Sequence, residues 1–245
     1  MITFENISKA FGKLQVLNGI NLRFNRGEAV AIVGPNGSGK TTLLKILLGM
    51  VLPDEGSLLM NDEDVSKTSD YRSQIGYMPQ ISKFPSNLRI SQLFDMMKEI
   101  RQPNDQYDLN LYEAFELEAI QDKYLSSLSG GTKQKVAAAL AFYFNPPVLV
   151  LDEPTAGLDP LACEILKNKI RLENTKGKLL LITSHILSDL EELTERLVYL
   201  QDGRVHIDRS ITDLKADYGQ NNLSRVMAIL MKKKEMTSSD ILQMA

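Results

Sequence analysis

The sequence predicts an α/β fold with three parts. These are a sheet core, an antiparallel β-subdomain at the N-terminal end, and an α-helical subdomain inserted into the core. Three observations carry this. The all-apolar run Val148-Leu149-Val150-Leu151 is what a strand buried on both faces of a parallel sheet requires. Residues 2–24 instead alternate, with Ile2, Phe4 and Ile7 and then Val16, Ile20, Leu22 and Phe24 apolar, as half-buried antiparallel strands do. Residues 82–145 are strand-poor, with apolar residues at helical spacing. The division expected is 1–81 and 146–209 for the core with its β-subdomain, 82–145 for the helical subdomain and 210–245 for a C-terminal tail, all one domain.

In chain order, the alternating strands flank a turn, Ala10-Phe11-Gly12-Lys13, that carries an exposed aromatic. Glu28–Val33 reads as a buried strand and Thr42–Leu48 as a helix. Between them lies Gly34-Pro35-Asn36-Gly37-Ser38-Gly39-Lys40-Thr41. This octamer satisfies the G-x-x-x-x-G-K-[ST] phosphate loop, in the strand, loop, helix context that the motif needs. The core is therefore expected to be a P-loop NTPase (RecA-like) core. Glycines let backbone N–H groups turn inward, and the positive end of the following helix adds to their hold on an anion. Lys40 is expected to reach the β- and γ-phosphates, and Thr41 to ligate Mg2+ through its hydroxyl.

Ser57–Met60 is a short strand, Asn61–Asp64 a polar turn and Gln74–Pro79 another strand. Helices are expected at Leu88–Ile100, Leu109–Ile120 and Gly131–Phe144. The core resumes at Val148. A helix near 160–174 and a strand at Leu179–Thr183 follow, then a helix near 186–194. Strands come next around Arg196–Leu200 and Arg204–Ile207. The tail carries a Lys232-Lys233-Lys234 run, which reads as a solvated face.

Composition excludes several classes. The 245 residues suffice for a full α/β core. A net charge of −3 gives no general pull toward nucleic acid. One cysteine, Cys163, allows no intramolecular disulfide. That fits a reducing compartment. The N-terminal residues carry no visible signal peptide, and no apolar run reaches the length of a membrane span. Any service to a membrane is expected to run through a partner.

A second chemical signal is Asp152-Glu153, at the carboxyl end of the apolar strand. In a P-loop protein a carboxylate there sits where Mg2+ needs a ligand, which assigns Asp152. Glu153, one residue on, is placed to act as general base on the attacking water. Leu128-Ser129-Gly130-Gly131 opens a helix and forms a second anion site. Two such sites in one chain suggest a dimer with shared sites. The phosphate loop of one copy would hold ATP, and Ser129 and its helix in the other would cap the γ-phosphate.

Over residues 2 to about 210 the sequence resembles the ATP-binding cassette (ABC) family. The matching order is the loop at 34–41, Gln80, the 128–131 signature, Asp152-Glu153, Gly157-Leu158-Asp159 and His185. The resemblance implies an ATPase whose nucleotide-binding set is Phe11, Gly34, Pro35, Asn36, Gly37, Ser38, Gly39, Lys40, Thr41, Thr42, Ser129, Gly130, Gly131 and Asp159. Phe11 then stands where a ring stacks on adenine, although tyrosine is commoner there. Gln80 joins Thr41 and Asp152 at Mg2+ and couples the core to the helical insertion. Asp159 crosses the dimer interface, and His185 contacts the γ-phosphate. Glu153, His185, Lys40 and Gln80 form the catalytic set. The signature departs from the family at Thr132, where glutamine is usual.

The resemblance further implies ATP and Mg2+ as cofactors, a second copy of the cassette and a polytopic membrane permease. It places the subunit on the cytoplasmic face, with indirect membrane contact and no nucleic-acid partner. The turn at 52–56 and the tail after 210 look like ABC-2-type exporter ATPases. Residues 129–136 with 139–142 are similar to ATPases of the copper-linked transporter serving nitrous-oxide reductase maturation. A soluble cassette ATPase of iron–sulfur cluster assembly is the alternative.

Overall fold

Two sheets organise the computed structural model, which describes residues 1–65, 68–101 and 107–231. The first takes β1 (Ile2–Phe11), β2 (Leu14–Phe24), β4 (Glu55–Met60) and β5 (Glu63–Asp64) in the order β2-β1-β4-β5, antiparallel throughout. The second contains β3 (Ala29–Val33), β6 (Ile75–Met78), β7 (Val148–Asp152), β8 (Leu179–Thr183), β9 (Arg196–Gln201) and β10 (Arg204–Ser210). Its order is β10-β9-β3-β8-β7-β6, parallel except for the edge strand β10. The helices are α1 (Lys40–Leu47), α2 (Ile90–Arg101), α3 (Asn110–Ala114), α4 (Gly130–Tyr143), α5 (Pro160–Thr175), α6 (Leu187–Leu193) and α7 (Ile211–Asp217). Residues 223–231 are also helical.

The five parallel strands of the six-stranded sheet are buried on both sides, and their side chains alternate between two cores. Ala29, Ala31, Val33, Leu149, Leu151, Leu180 and Ile182 face the core that holds α4, α5 and the inserted helices. Val30, Ile32, Val148, Val150, Leu179 and Leu181 face the other, shared with α1 and the antiparallel sheet. This is why the strands read as unbroken apolar runs. The insertion leaves the sheet after β6 and returns at β7, its hydrogen-bonded neighbour. Gly76 sets the closeness of that packing, because a Cβ there would stand 2.0 Å from the Ala141 carbonyl oxygen on α4.

Two expectations need correction. The single helix expected over Leu109–Ile120 is α3 followed by a separate 3-10 turn at Glu118–Ile120. The break falls at Glu116, whose φ is +53°. It lets Phe115 and Leu117 both enter the core, whereas positions two apart on one helix point to nearly opposite sides. The polar turn expected over Asn61–Asp64 is only Asn61-Asp62, with φ of +53° and +66°. Such a positive-φ pair matches the twist of a tight hairpin. Glu63 and Asp64 then pair with Met60 and Leu59. The Lys232–Lys234 run lies outside the described residues.

Candidate functional site

Strand order assembles the site. The phosphate loop leaves the carboxyl end of β3, Asp152 ends β7, and β8 lies between them. Ligand sites in open α/β sheets form outside those carboxyl ends. A cleft of about 270 Å3 opens there, lined by Asn36, Gly37, Ser38, Gly39, Lys40, Thr41 and Thr42, with Gln80, Asp152, Glu153 and His185 across from them.

The loop has the backbone its sequence demands. Gly37 and Gly39 have φ of +79° and +102°. A Cβ on Gly39 would also meet Leu17 Cδ2 at 2.5 Å, and one on Gly34 would meet the Leu200 carbonyl oxygen at 2.1 Å. Lys40 Nζ donates to the carbonyls of Gly34 at 2.6 Å and Pro35 at 3.0 Å. Burial lowers the Lys40 pKa, opposed by the charges of Glu153 and Asp152. The Ser38 hydroxyl is buried, with no hydrogen-bond partner among the described residues. A polar atom left so inside a phosphate loop fits a cradle that an anion completes.

On the opposite wall, the Thr183 hydroxyl at the end of β8 donates to Asp152 Oδ1 at 2.5 Å. Glu153 N–H donates to the Thr183 carbonyl at 3.1 Å. Glu153 has φ of +52°, a left-handed backbone that costs a non-glycine residue about 1 kcal/mol. His185 N–H donates to Glu153 Oε2 at 3.2 Å, and His185 Nε2 lies 3.3 Å from Oε1. Burial, helped by the Asp152 charge, pushes the Tyr77 hydroxyl up to about 12, so it stays neutral. The oxygens of Thr41, Gln80 and Asp152 are hard donors and too few to enclose an ion alone. That suits Mg2+, which keeps waters and substrate phosphates in its shell.

Other expected residues lie elsewhere. Phe11 is half exposed at the hairpin tip, with Lys9 Nζ 5.5 Å from its ring centre, and does not line the cleft. Its pairing neighbour Leu14, 67% exposed, and Val16 do line it. The sequence reading missed both. Ser129 caps α4, accepting from Thr132 N–H at 3.1 Å. Asp159 caps α5, accepting from Ala162 N–H at 2.9 Å, and pairs with Lys135 at 2.7 Å. The two caps are neighbours, because a Cβ on Gly131 would stand 2.9 Å from the Gly157 carbonyl. Ser129, Gly130, Gly131 and Asp159 are not in the lining of their own chain's cleft.

This fold and phosphate site define a P-loop ATP-binding cassette. The chain belongs to the ABC transporter family, whose profile matches residues 17–156. It is an ATP-binding subunit and an ATPase. It is 36% identical over 211 residues to the Nod factor export ATP-binding protein I of Burkholderia orbicola, covering 83% of this chain and 68% of that protein. The protein of the same name from Rhizobium sp. strain N33 is 33% identical over 212 residues, with the same coverage. A solved ATP-binding subunit of an ABC transporter superposes with a TM-score of 0.88 at 28% identity, covering 94% of this chain and 99% of that one. A dimeric post-hydrolysis cassette bound to ADP and Pi superposes at 0.77 and 26% identity, covering 86% and 99%. Among the described residues, no helix is long and apolar enough to cross a membrane.

Proposed function

We propose that two copies of this subunit sandwich two MgATP and drive a membrane exporter of the ABC-2 type. The observation that carries this is the single cleft that joins the phosphate loop to Asp152, Glu153 and His185. Lys40 and the loop N–H groups hold the phosphates. Thr41, Asp152 and Gln80 would hold Mg2+, which supplies charge neutralisation. Glu153 accepts the proton of the attacking water, and the His185 N–H fixes its carboxylate. Leu14 and Val16 offer an apolar rim for the base, with Phe11 paired beside Leu14. Ser129, Gly130, Gly131 and Asp159 stand outside their own cleft, which fits their use by a second copy in a shared-site dimer. The dimeric neighbour supports that assembly.

The export function in the relatives' names supports an exporter on the cytoplasmic face, reached through a polytopic permease. Those names lend nothing to the iron–sulfur alternative. For the cargo, the likeness of residues 129–136 and 139–142 to the nitrous-oxide reductase maturation ATPases nominates a copper-linked system. The test is a pull-down of tagged Glu153→Gln protein with MgATP from detergent-solubilised cells. A polytopic membrane protein is the expected capture, and its identity names the cargo class. Capture of soluble assembly proteins alone would overturn the transporter reading.

A further inference from the structure

The loop that carries Glu153 and the helix that follows His185 are tied together a second time, away from the cleft. Thr155, two residues after Glu153, donates its hydroxyl to Asp189 Oδ2 at 2.9 Å. Asp189 is on α6, four residues after His185. Its other oxygen, Oδ1, pairs with Lys167 Nζ of α5 at 2.8 Å, and Lys167 also holds Glu192 at 2.9 Å. Thr155 and Asp189 are both buried, and neither lines the cleft.

We infer that Asp189 is a positioning residue for hydrolysis, holding through Thr155 the loop that aims Glu153 at His185. This rests on the reading of Glu153 as the base. Glu153 has a left-handed backbone and a buried carboxylate. A residue so placed turns its side chain away when its loop relaxes, unless neighbouring bonds over-determine it. The Glu153 N–H bond to Thr183 fixes the entry to the loop. The Ala156 N–H bond to the Glu153 carbonyl, at 3.1 Å, shapes the turn but anchors it to nothing outside. The Thr155 bond supplies that outside anchor. Asp189 suits the task because Lys167 balances its charge and occupies its second oxygen, leaving Oδ2 to the threonine. A carboxylate acceptor also makes a stronger bond than a neutral one. Since the tie touches no substrate, its loss acts on turnover and leaves nucleotide binding alone.

The test compares steady-state ATP hydrolysis by the full chain with that of Thr155→Val, Thr155→Ser, Asp189→Ala and the Thr155→Val/Asp189→Ala double variant. Thr155→Val keeps the shape and deletes the donor. It is expected to lower kcat about 10- to 100-fold, the scale of a displaced catalytic group, with KM within about twofold. Thr155→Ser restores the donor and is expected to recover most of the rate. The double variant should be no slower than Asp189→Ala, the mark of one shared interaction. Should Asp189→Ala not fold, the valine and serine pair decides alone. Wild-type kcat in Thr155→Val, equal impairment in the serine variant, or additive losses would overturn the inference. Glu153→Gln run alongside separates the two readings. If it is inactive while Thr155→Val is unimpaired, the positioning role alone fails. If it turns over normally, Glu153 is not the base.

Discussion

His185 donates its backbone N–H to Glu153 Oε2 at 3.2 Å, and its Nε2 stands 3.3 Å from Oε1 of the same carboxylate. Both carboxylate oxygens thus face one residue beyond the neighbouring strand end, and one of them accepts its N–H. The amide of Glu153→Gln keeps this shape but accepts no proton. Its turnover is expected to fall by about 10²- to 10⁴-fold, the usual share of general-base catalysis, with ATP affinity retained. Phosphate release and equilibrium nucleotide titration check the two halves. Closed dimers should accumulate in MgATP and are read by size-exclusion chromatography.

Lys40 is expected to govern binding. Removing an ammonium that donates to charged phosphates costs about 1.5–3 kcal/mol, so Lys40→Ala is expected to weaken ATP binding roughly 10- to 150-fold. An unchanged Kd would contradict the assigned contact. The pH dependence has a definite sign. Burial lowers the Lys40 pKa from 10.5 despite Glu153 and Asp152, so the charge is lost earlier than in an ordinary lysine as pH rises. Affinity should be full below that pKa and decline through it. Lys40→Arg should abolish that alkaline decline, because a guanidinium keeps its proton. Titration across an alkaline pH series checks this.

Glu173 governs stability. It is fully buried on α5, with Lys169 at 2.9 Å, Lys176 at 2.8 Å and Lys178 also bonded to it. Burial alone would raise its pKa, but hydrogen bonds from Lys176, Lys178 and Lys169 override it and hold the group at about 2. Lys169 also reaches Asp108 and Asn110, so the cluster ties the inserted segment to the core helix. A carboxylate depressed in the folded state stabilises above its unfolded pKa of 4.5 and loses that as pH falls toward 2. Glu173→Gln is expected to cost about 3 kcal/mol near neutrality. It should also flatten the acid dependence. Urea unfolding near neutrality and in acid measures both.

Gly76 governs how the insertion seats. Its missing Cβ leaves room for the Ala141 carbonyl of α4. The obstacle is backbone, so α4 must move for any side chain to fit. Gly76→Ala is expected to destabilise by about 1–3 kcal/mol, the range for overpacking. Denaturant unfolding checks it, and an unchanged midpoint would show that α4 shifts freely.

Much of this protein was written in local sequence. The octamer ending in Gly39-Lys40-Thr41, between an apolar strand and a helix, points to phosphate binding, because its positive-φ glycines turn backbone N–H groups inward. A carboxylate ending a two-sided apolar strand has few uses beside it. The periods of two and 3.6 separated the antiparallel strands from the inserted helices, since those repeats follow from backbone geometry alone. They misled at Glu116, where a left-handed residue breaks a helix in order to bury two apolar neighbours.

The tertiary structure decided what depends on strand order and on distant partners. Only the placement of β8 between β3 and β7 brings Thr183 to Asp152 and Glu153. A lone threonine ending an apolar run carries no such signal. Leu14 and Val16 reach the cleft because the antiparallel sheet lies beside it, and Phe11, picked from its turn, does not line it. Thr155 meets Asp189, and Lys169 meets Asp108, across gaps where each residue reads as an ordinary polar position. Local sequence encodes backbone conformation and face, both set by neighbours along the chain. Pairings between segments depend on how buried surfaces pack, and no short stretch carries that information.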